Sequence, residues 1–388
     1  MKFLHLGDLH IGKSLLDFGL IDDQRYILNR IVETAEKRDV DAVLIAGDVY
    51  DRPVPSEEAV ELFDYFLREL SKRHVSTFVI SGNHDSDERL NFGSSLLEAS
   101  GVYIASKFDG KLYKKELSDG NEKVNVYLLP FVKASQVKHF YKDAEINNYE
   151  DAVRTVIENA DIDKNETNII VAHQFVGGSG IDTLISGSES AAAQTVGLVE
   201  KIGTSVFDSF DYVALGHIHR PQALGRETLR YSGSPLKYSL SELEGDGSNG
   251  DKSMPLVSVE NGLVSVELIP LNPMRNMRHL TGKMEQLLDE RNVVSPEDFI
   301  YVTLTDEDVI NDAMSIFRQT YPNMVRLDYD NFRTHEAEYA DVANIGERKS
   351  FDELISDFYK MVYGREISED ELEIMKDVAR EAGVSGET

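Results

Sequence analysis

Five short apolar runs in this chain each end on residues with metal-ligand chemistry. Phe3-Leu4-His5-Leu6-Gly7 leads into Asp8-Leu9-His10, and Ala42-Val43-Leu44-Ile45-Ala46-Gly47 leads into Asp48. Thr77-Phe78-Val79-Ile80-Ser81-Gly82 leads into Asn83-His84-Asp85. Ile169-Ile170-Val171-Ala172 leads into His173, and Tyr212-Val213-Ala214-Leu215-Gly216 into His217-Ile218-His219. Short β-rich runs stopped by polar residues read as buried strands. Residues 22–38 carry Ile27, Leu28, Ile31, Val32 and Ala35 at helical spacing. Ser56 reads as an N-cap, with Glu57 and Glu58 in the first turn and Val60, Phe63, Leu67 and Leu70 on one face. Strands alternating with helices are the pattern of an α/β sandwich, and residues at the carboxyl ends of its strands converge on one edge.

Asp8, His10, Asp48, Asn83, His173, His217 and His219 offer only oxygen and nitrogen donors. They outnumber the ligands of one tetrahedral zinc and suit two ions sharing a carboxylate. Two ions about 3.5–4 Å apart can hold both the attacking and the leaving oxygen of an in-line displacement at phosphorus. Imidazole and carboxylate without thiolate favour Mn²⁺, with Fe²⁺, Mg²⁺ and Zn²⁺ as the other divalent candidates. Asp48 is the natural bridge, one oxygen to each ion. Gly7, Gly47, Gly82 and Gly216 directly precede these residues, and Ala172 precedes His173. Small residues there are expected to let a metal-bound phosphate come close.

Asp8-x-His10, Gly47-Asp48, Gly82-Asn83-His84-Asp85, His173 and Gly216-His217-x-His219 stand in the order and spacing of the calcineurin-like metallophosphoesterases, which the chain resembles. The stretch from Met1 to Lys13, Gly216 to Pro221 and Tyr231 to Pro235 resemble more narrowly the SbcD nucleases, bacterial counterparts of the nuclease subunit of double-strand-break repair. The likeness runs over roughly the whole chain.

That resemblance implies a metallophosphoesterase β-sandwich flanked by helices at 1–272, a small α+β capping domain at 275–335 and C-terminal helices at 345–385. It implies one metal site of Asp8, His10 and His219 around Asp48, and a second of Asn83, His173 and His217. His84 is then a catalytic residue and not a ligand, stabilising transition-state charge or protonating the leaving oxygen. In related phosphoesterases the carboxylate at Asp51 orients that histidine. Archaeal members of the nuclease family often carry histidine there, so this chain departs from them. Arg52 is a candidate phosphate contact. The implied reaction is hydrolysis of DNA phosphodiesters by water acidified between two cations, as a 3′→5′ exonuclease on double-stranded ends and an endonuclease on single strands or hairpins. The implied partners are DNA, the coiled-coil ATPase subunit SbcC, and a second copy of the chain met through helices at 57–72 and 88–100. ATP would act through SbcC, since this chain has no Gly-x-x-x-x-Gly-Lys-Ser/Thr loop.

The chain has no cysteine, hence no disulfide framework. No apolar stretch approaches the ~20 residues of a membrane span, and Asp8 and His10 interrupt the apolar run a signal peptide needs. A cytoplasmic protein without membrane contact, nucleoid-associated when on DNA, is expected. The net charge of −29 opposes tight DNA binding by the chain alone, because phosphate neutralisation normally supplies that affinity. Bound metals and a partner are expected to bring positive charge. The tail is the more acidic part, with 13 Lys and Arg against 26 Asp and Glu in 271–388.

Val124–Leu129 reads as a further strand, and Leu256–Val259 and Leu263–Ile269 as a hairpin around Glu260-Asn261-Gly262. Residues 242–252 read as a flexible loop. Further on, Phe299–Leu304 reads as a strand, Glu307–Thr320 as a helix ended by Pro322, and Met324–Asp328 as a strand. Phe351, Leu354, Ile355, Phe358 and Met361 make an apolar stripe, read as a docking face for SbcC. Ser368 reads as the cap of a last helix, with Glu371 at the capping-box position. His5 and His74, outside the motifs, read as satisfied core residues. Two other functions fit the same metal core: a phosphoesterase of small monoesters or cyclic nucleotides, and a non-catalytic scaffold for the ATPase. The capping segment speaks against the first, the complete donor set against the second.

Overall fold

The computed structural model describes residues 1–120, 122–177, 201–243 and 251–331, with isolated positions between 356 and 375. Its strands begin with β1 (Lys2–Leu6), the short hairpin β2 (Ser14–Leu15) and β3 (Phe18–Gly19), β4 (Ala42–Ala46), β5 (Ser76–Ile80) and β6 (Val102–Ala105). Then come β7 (Tyr113–Ser118), β8 (Lys123–Leu129), β9 (Thr167–His173), β10 (Tyr212–Gly216), β11 (Gln222–Leu224) and β12 (Arg226–Tyr231). The last are β13 (Ser253–Glu260), β14 (Leu263–Pro270), β15 (Met277–Gly282), β16 (Phe299–Leu304) and β17 (Met324–Tyr329). The helices used below are α1 (Ile21–Lys37), α2 (Glu57–Lys72), α3 (Asp87–Leu90), α4 (Ser94–Leu97), α5 (Ala134–Phe140) and α6 (Tyr149–Glu158).

Period-two alternation sets the layers. Leu4 and Leu6 of β1, with Val43 and Ile45 of β4, pack against the apolar faces of α1 and α2. Phe3, Ala42 and Leu44 point the other way and meet Val126, Ile169, Val171, Tyr212 and Ala214 of a second sheet. That sheet turns Ile170, Val213 and Leu215 toward Val137 of α5 and Val153 and Val156 of α6. Two six-stranded sheets, β14-β13-β1-β4-β5-β6 and β11-β12-β10-β9-β8-β7, are thus stacked face to face with helices outside. Both central runs are parallel: β1, β4, β5 and β6 in one, β8, β9, β10 and β12 in the other. This is the expected α/β sandwich, and it brings the carboxyl ends of β1, β4, β5, β9 and β10 to one edge.

The hairpin β13–β14 pairs from Ser253↔Pro270 to Glu260↔Leu263, with Asn261 at φ 53° and Gly262 at φ 72° as in a type I′ turn. Ser56 caps α2, its hydroxyl accepting from Ala59 N–H at 3.3 Å. β15, β16 and β17 form a separate three-stranded sheet. The chain divides into two compact units. One is 1–280 with 293–302 and 314–326, and the other is 281–292, 303–313 and 327–388. No described helix is long and apolar enough to cross a membrane.

Three expectations are corrected. The helix expected over Glu307–Thr320 spans only Ala313–Thr320, because Asp312 takes a left-handed φ of 55° that a right-handed helix cannot absorb. The helix at 88–100 is broken into α3, α4 and a 3₁₀ turn, with Gly93 at φ 74° between α3 and α4. His74 is not a core residue. It is exposed, at φ 58°, in the turn after α2. The loop expected over 242–252 is anchored at both ends by buried charges, Glu242 and Lys252, while 244–250 lie outside the described residues. The stripe Phe351, Leu354, Ile355, Phe358 and Met361 also lies outside them. Ser368 and Glu371 do cap each other: the Ser368 N–H donates to Glu371 Oε2 at 3.0 Å, and the Glu371 N–H to Ser368 Oγ at 3.4 Å.

Candidate metal centre

The structure brings all seven expected donors together at the sheet edge. His10 Nε2 lies 3.1 Å from His219 Nε2, with their rings edge to face. Asn83 Oδ1 lies 3.1 Å from His173 Nε2 and 2.9 Å from His217 Nδ1. Asp48 Oδ2 stands between the two clusters, 3.6 Å from His10 Nε2 and 3.4 Å from His173 Nε2. A single carboxylate oxygen therefore faces both groups, while Asp48 Oδ1 accepts the His84 N–H at 2.9 Å. Neighbouring ligand nitrogens of one ion bound at ~2.1 Å stand about 3.0–3.4 Å apart, so the donor set fits bound cations. Donor atoms of Asp8, His10 and His219, and of Asp8, Asp48 and His173, each lie within 4.8 Å of one another. Asp8 also accepts the His217 N–H, at 2.9 and 3.1 Å.

The electrostatics suit the same role. Burial works to neutralise Asp48, but His173 first, then His10 and His84, hold its carboxyl well below the usual range. Burial works to deprotonate His173, yet Asp48 and Asp8 raise it to about 9. Burial lowers His10 to about 4, and lowers His217 to about 3 with help from the His173 charge. Burial pushes Asp8 up to about 6. Cations bound here would take the place of the protons on His173 and Asp8.

Asp8, His10, Asp48 and His217 all adopt positive φ, at 53°, 42°, 49° and 101°. Such conformations cost of order 1–3 kcal/mol each and persist where surroundings over-determine them. Here the surroundings are explicit. Asp8 N–H donates to Gly47 O at 3.1 Å and His10 N–H to Asp48 O at 2.9 Å. Gln24 of α1 donates from Nε2 to His10 O at 2.7 Å and accepts the Gly12 N–H at 2.9 Å. Asp85, whose carboxyl is pushed up to about 6 by burial, accepts N–H groups of Val49, Tyr50 and Gly82 at 2.9–3.1 Å. It thereby ties the loop carrying Asp48 to the loop carrying Asn83. The preceding glycines serve this packing as well: a Cβ on Gly82 would strike the Asp48 carboxylate, and one on Gly216 the Ala46 carbonyl.

His84 is half-buried, and its Nδ1–H donates to the backbone carbonyl of Asp51 at 3.1 Å. Asp51 thus meets His84 through its main chain. Its carboxylate accepts from Lys13 Nζ at 2.7 Å and faces His10 Nδ1 at 3.5 Å. Burial works against its charge, but His10 and Lys13 hold it well below the usual range. Arg52 has a 79% exposed side chain, with Nε 3.6 Å from Asp51 Oδ2. His5 is a core residue as expected, fully buried between Tyr212 Oη at 2.9 Å and Leu215 O at 3.2 Å.

No motif marks Glu242 and Lys252, yet they belong to the site. They are buried and 2.5 Å apart. Lys252 Nζ donates to His219 O at 2.7 Å and Ser234 Oγ at 2.8 Å. Glu242 Oε1 lies 3.7 Å behind His219 Nδ1. Burial would raise Glu242, but Lys252 and then His219 hold it at about 2. The pattern matches Lys13, Asp51 and His10: a lysine, a carboxylate and a histidine converging on one cluster. Carboxylates behind ligand histidines fix ring orientation and are worth ~10–100-fold in metal affinity. Glu242→Gln should therefore weaken Mn²⁺ binding by that factor. It should also cost ~3–5 kcal/mol, since Lys252 would be left buried without its counter-charge. Calorimetric titration and a thermal melt check both; unchanged affinity would show that Glu242 does not hold His219.

Comparison with known proteins places the chain in a family. Residues 1–221 match the calcineurin-like phosphoesterase model, and residues 273–363 match the model described as the type 5 capsule protein repressor C-terminal domain. A Staphylococcus epidermidis protein, the D component of nuclease SbcCD, is 33% identical over 375 residues, covering 95% of each chain. Among solved structures, a dimetal phosphatase from Danio rerio matches at 14% identity over 70% of this chain and 99% of its own, with a TM-score of 0.39. A Thermus thermophilus protein matches at 12% over 69% and 98%, also with a TM-score of 0.39. The chain belongs to the calcineurin-like phosphoesterases and, within them, to the SbcD type.

Proposed function

We propose that this chain is the nuclease subunit of an SbcC-dependent DNA-processing complex, hydrolysing DNA phosphodiesters at two divalent ions. The observation that carries the reading is the convergence of two donor clusters on Asp48 Oδ2, with His84 seated on the other oxygen of the same carboxylate. Asp8, His10 and His219 would hold one ion and Asn83, His173 and His217 the other, with Asp48 between them. Mn²⁺ leads among the divalent metals because the set is rich in imidazole. When bound, the ions supply Lewis-acid polarisation of the phosphoryl group and acidify water.

The remaining work falls to side chains of this chain. Nδ1 of His84 is committed to the Asp51 carbonyl, which leaves Nε2 for the substrate and for proton delivery to the departing 3′-oxygen. Asp51 and Lys13 steady His10 from behind. Arg52 stands exposed beside them, within reach of a phosphate. The name of the Staphylococcus relative supports a nuclease; 3′→5′ exonuclease and hairpin endonuclease action belong to the same proposal. The test is Mn²⁺-dependent cleavage of blunt and hairpin oligonucleotides against hydrolysis of a nitrophenyl phosphate monoester. Turnover of the monoester alone would make this a small-molecule phosphoesterase.

A second copy is proposed to cover the segment after His84, where Phe92 and Leu96 are 87% and 81% exposed. Large apolar side chains left in water at one place mark an association surface. Phe92→Glu with Leu96→Glu should halve the mass seen by light scattering while hydrolysis of a small phosphodiester persists; an unchanged mass removes this interface. SbcC is proposed to dock on 345–385. A chain ending near residue 340 should keep its metals and small-diester activity yet fail to co-elute with SbcC, and retained co-elution would contradict that.

A further inference from the structure

The chain carries −29 charges, yet residues 107–142 hold eight lysines against four acids, Asp109, Glu116, Asp119 and Glu122. The fold gathers half of those lysines on one surface. Phe108 packs edge to face on Phe140 at 5.5 Å and stacks with Tyr141 at 6.5 Å. The Tyr141 hydroxyl donates to Gly110 O at 2.9 Å. These contacts clamp the 107–111 loop on the end of α5, so exposed Lys107 and Lys111 join exposed Lys138, His139 and Lys142. Asp109 lies within these two segments, exposed Asp143 directly follows Lys142, and Lys107 acts on the charge of Asp87.

This surface combines four lysines outside any ion pair with an exposed ring. Many exposed cations elsewhere are ion-paired, as in Arg38–Glu267, Lys72–Glu69, Arg154–Glu150 and Arg291–Asp289, and others, such as Arg25, Arg89 and Lys133, stand singly among the described residues. Among the described residues no ion pair is formed by Lys107, Lys111, Lys138 or Lys142. Amid them Phe140 is 45% exposed. A basic surface with an aromatic ring in it is the composition that binds single-stranded nucleic acid, with phosphates on the cations and a base on the ring.

The topology ties the surface to the metal centre. β6 is parallel to β5 with Ile80↔Ala105, so Ser106 and Lys107 leave the sheet at the edge where Ser81 leads to Asn83 and His84. Ser81 Oγ donates to Ser106 O at 2.6 Å. β8 is parallel to β9 with Leu129↔Ala172, so the segment entering α5 leaves at the edge of His173. Phe131 N–H donates to Ser81 O at 3.0 Å, and its ring lies 6.3 Å from the His173 ring.

We infer that the Lys107, Lys111, Lys138, Lys142 and Phe140 surface binds a single DNA strand and guides it across the sheet edge to the metal centre. The inference rests on the DNA-nuclease reading above and names the surface that reading lacks. It also answers the charge problem, because a local cluster supplies cations that a −29 chain lacks on average.

The test uses the full chain with Mn²⁺ and a short fluorescein-labelled oligothymidylate. Replacing all four lysines by Gln (Lys107→Gln, Lys111→Gln, Lys138→Gln, Lys142→Gln) should lower the salt dependence of binding by up to about 0.7 in slope per lysine. Phe140→Leu, which keeps an apolar side chain against Phe108 but removes the ring, should weaken binding about tenfold with the slope kept, since stacking carries no counterions. Hydrolysis of a nitrophenyl phosphodiester, and the melting temperature, should stay at the wild-type value in both. An unchanged slope in the lysine variant overturns the inference. So does polyglutamate competing as well as the oligonucleotide, which would make the surface a site for an acidic protein. If the wild-type chain neither binds nor cleaves the oligonucleotide, the nuclease reading itself falls, a result distinct from failure of the variants alone.

Discussion

Asp48→Ala should abolish hydrolysis of every phosphoester and leave at most one tightly bound ion per chain. Its carboxylate does three things at once. Oδ2 faces His10 and His173, one from each donor cluster. Oδ1 seats the His84 main chain. Its charge is the main force holding His173 at about 9 against burial. Removing it should weaken both proposed ion sites and unseat His84, the proposed proton donor, together, so the loss should exceed the ~10²–10⁴ of a proton donor alone. Metal analysis of the purified variant decides: two retained ions would show that Asp48 does not join the clusters.

His84→Ala should separate chemistry from metal binding. No candidate ligand depends on the His84 side chain, whose ring Nδ1 bonds the Asp51 carbonyl. Two ions should stay bound while phosphodiester hydrolysis falls ~10²–10⁴-fold, the usual worth of a positioned proton donor. Loss of an ion on this change would make His84 a ligand. Asp51→Ala should act differently from a simple weakening of His84, since the carboxylate faces His10 and Lys13. Its effect should therefore include weaker metal binding.

Local periodicity and motif order are legible in the sequence. The strands ending at Leu6, Ala46, Ile80, His173 and Gly216 are alternating or continuous apolar runs, and their ligand-type residues follow within a few positions. The Asn261-Gly262 turn and the Ser56 cap are local as well. The supports of the site are not local. Gln24 reaches His10 from the first turn of α1, and Lys252 reaches His219 across 33 positions and an intervening loop. Nothing in the composition of 242–252 marks Glu242 and Lys252 as buried, because their burial depends on meeting each other. Asp85 is visible within its motif, but its task of joining two loops shows only when the Val49 and Tyr50 N–H groups stand beside it. The helix start at Ala313 is hidden because Glu307 and Asp308 suit a first turn, while the left-handed φ of Asp312 has no sequence marker. His74 follows an apolar helix and so reads as core, whereas the chain needs a left-handed turn residue there.

Two ions on this sheet edge are proposed to make the catalyst. Titrating Mn²⁺ into metal-free protein, while following binding heat and oligonucleotide cleavage together, tests it most directly. The expected result is two ions per chain, with cleavage appearing only as the second site fills and vanishing on chelation. Full cleavage with one ion bound, or in excess chelator, would contradict it.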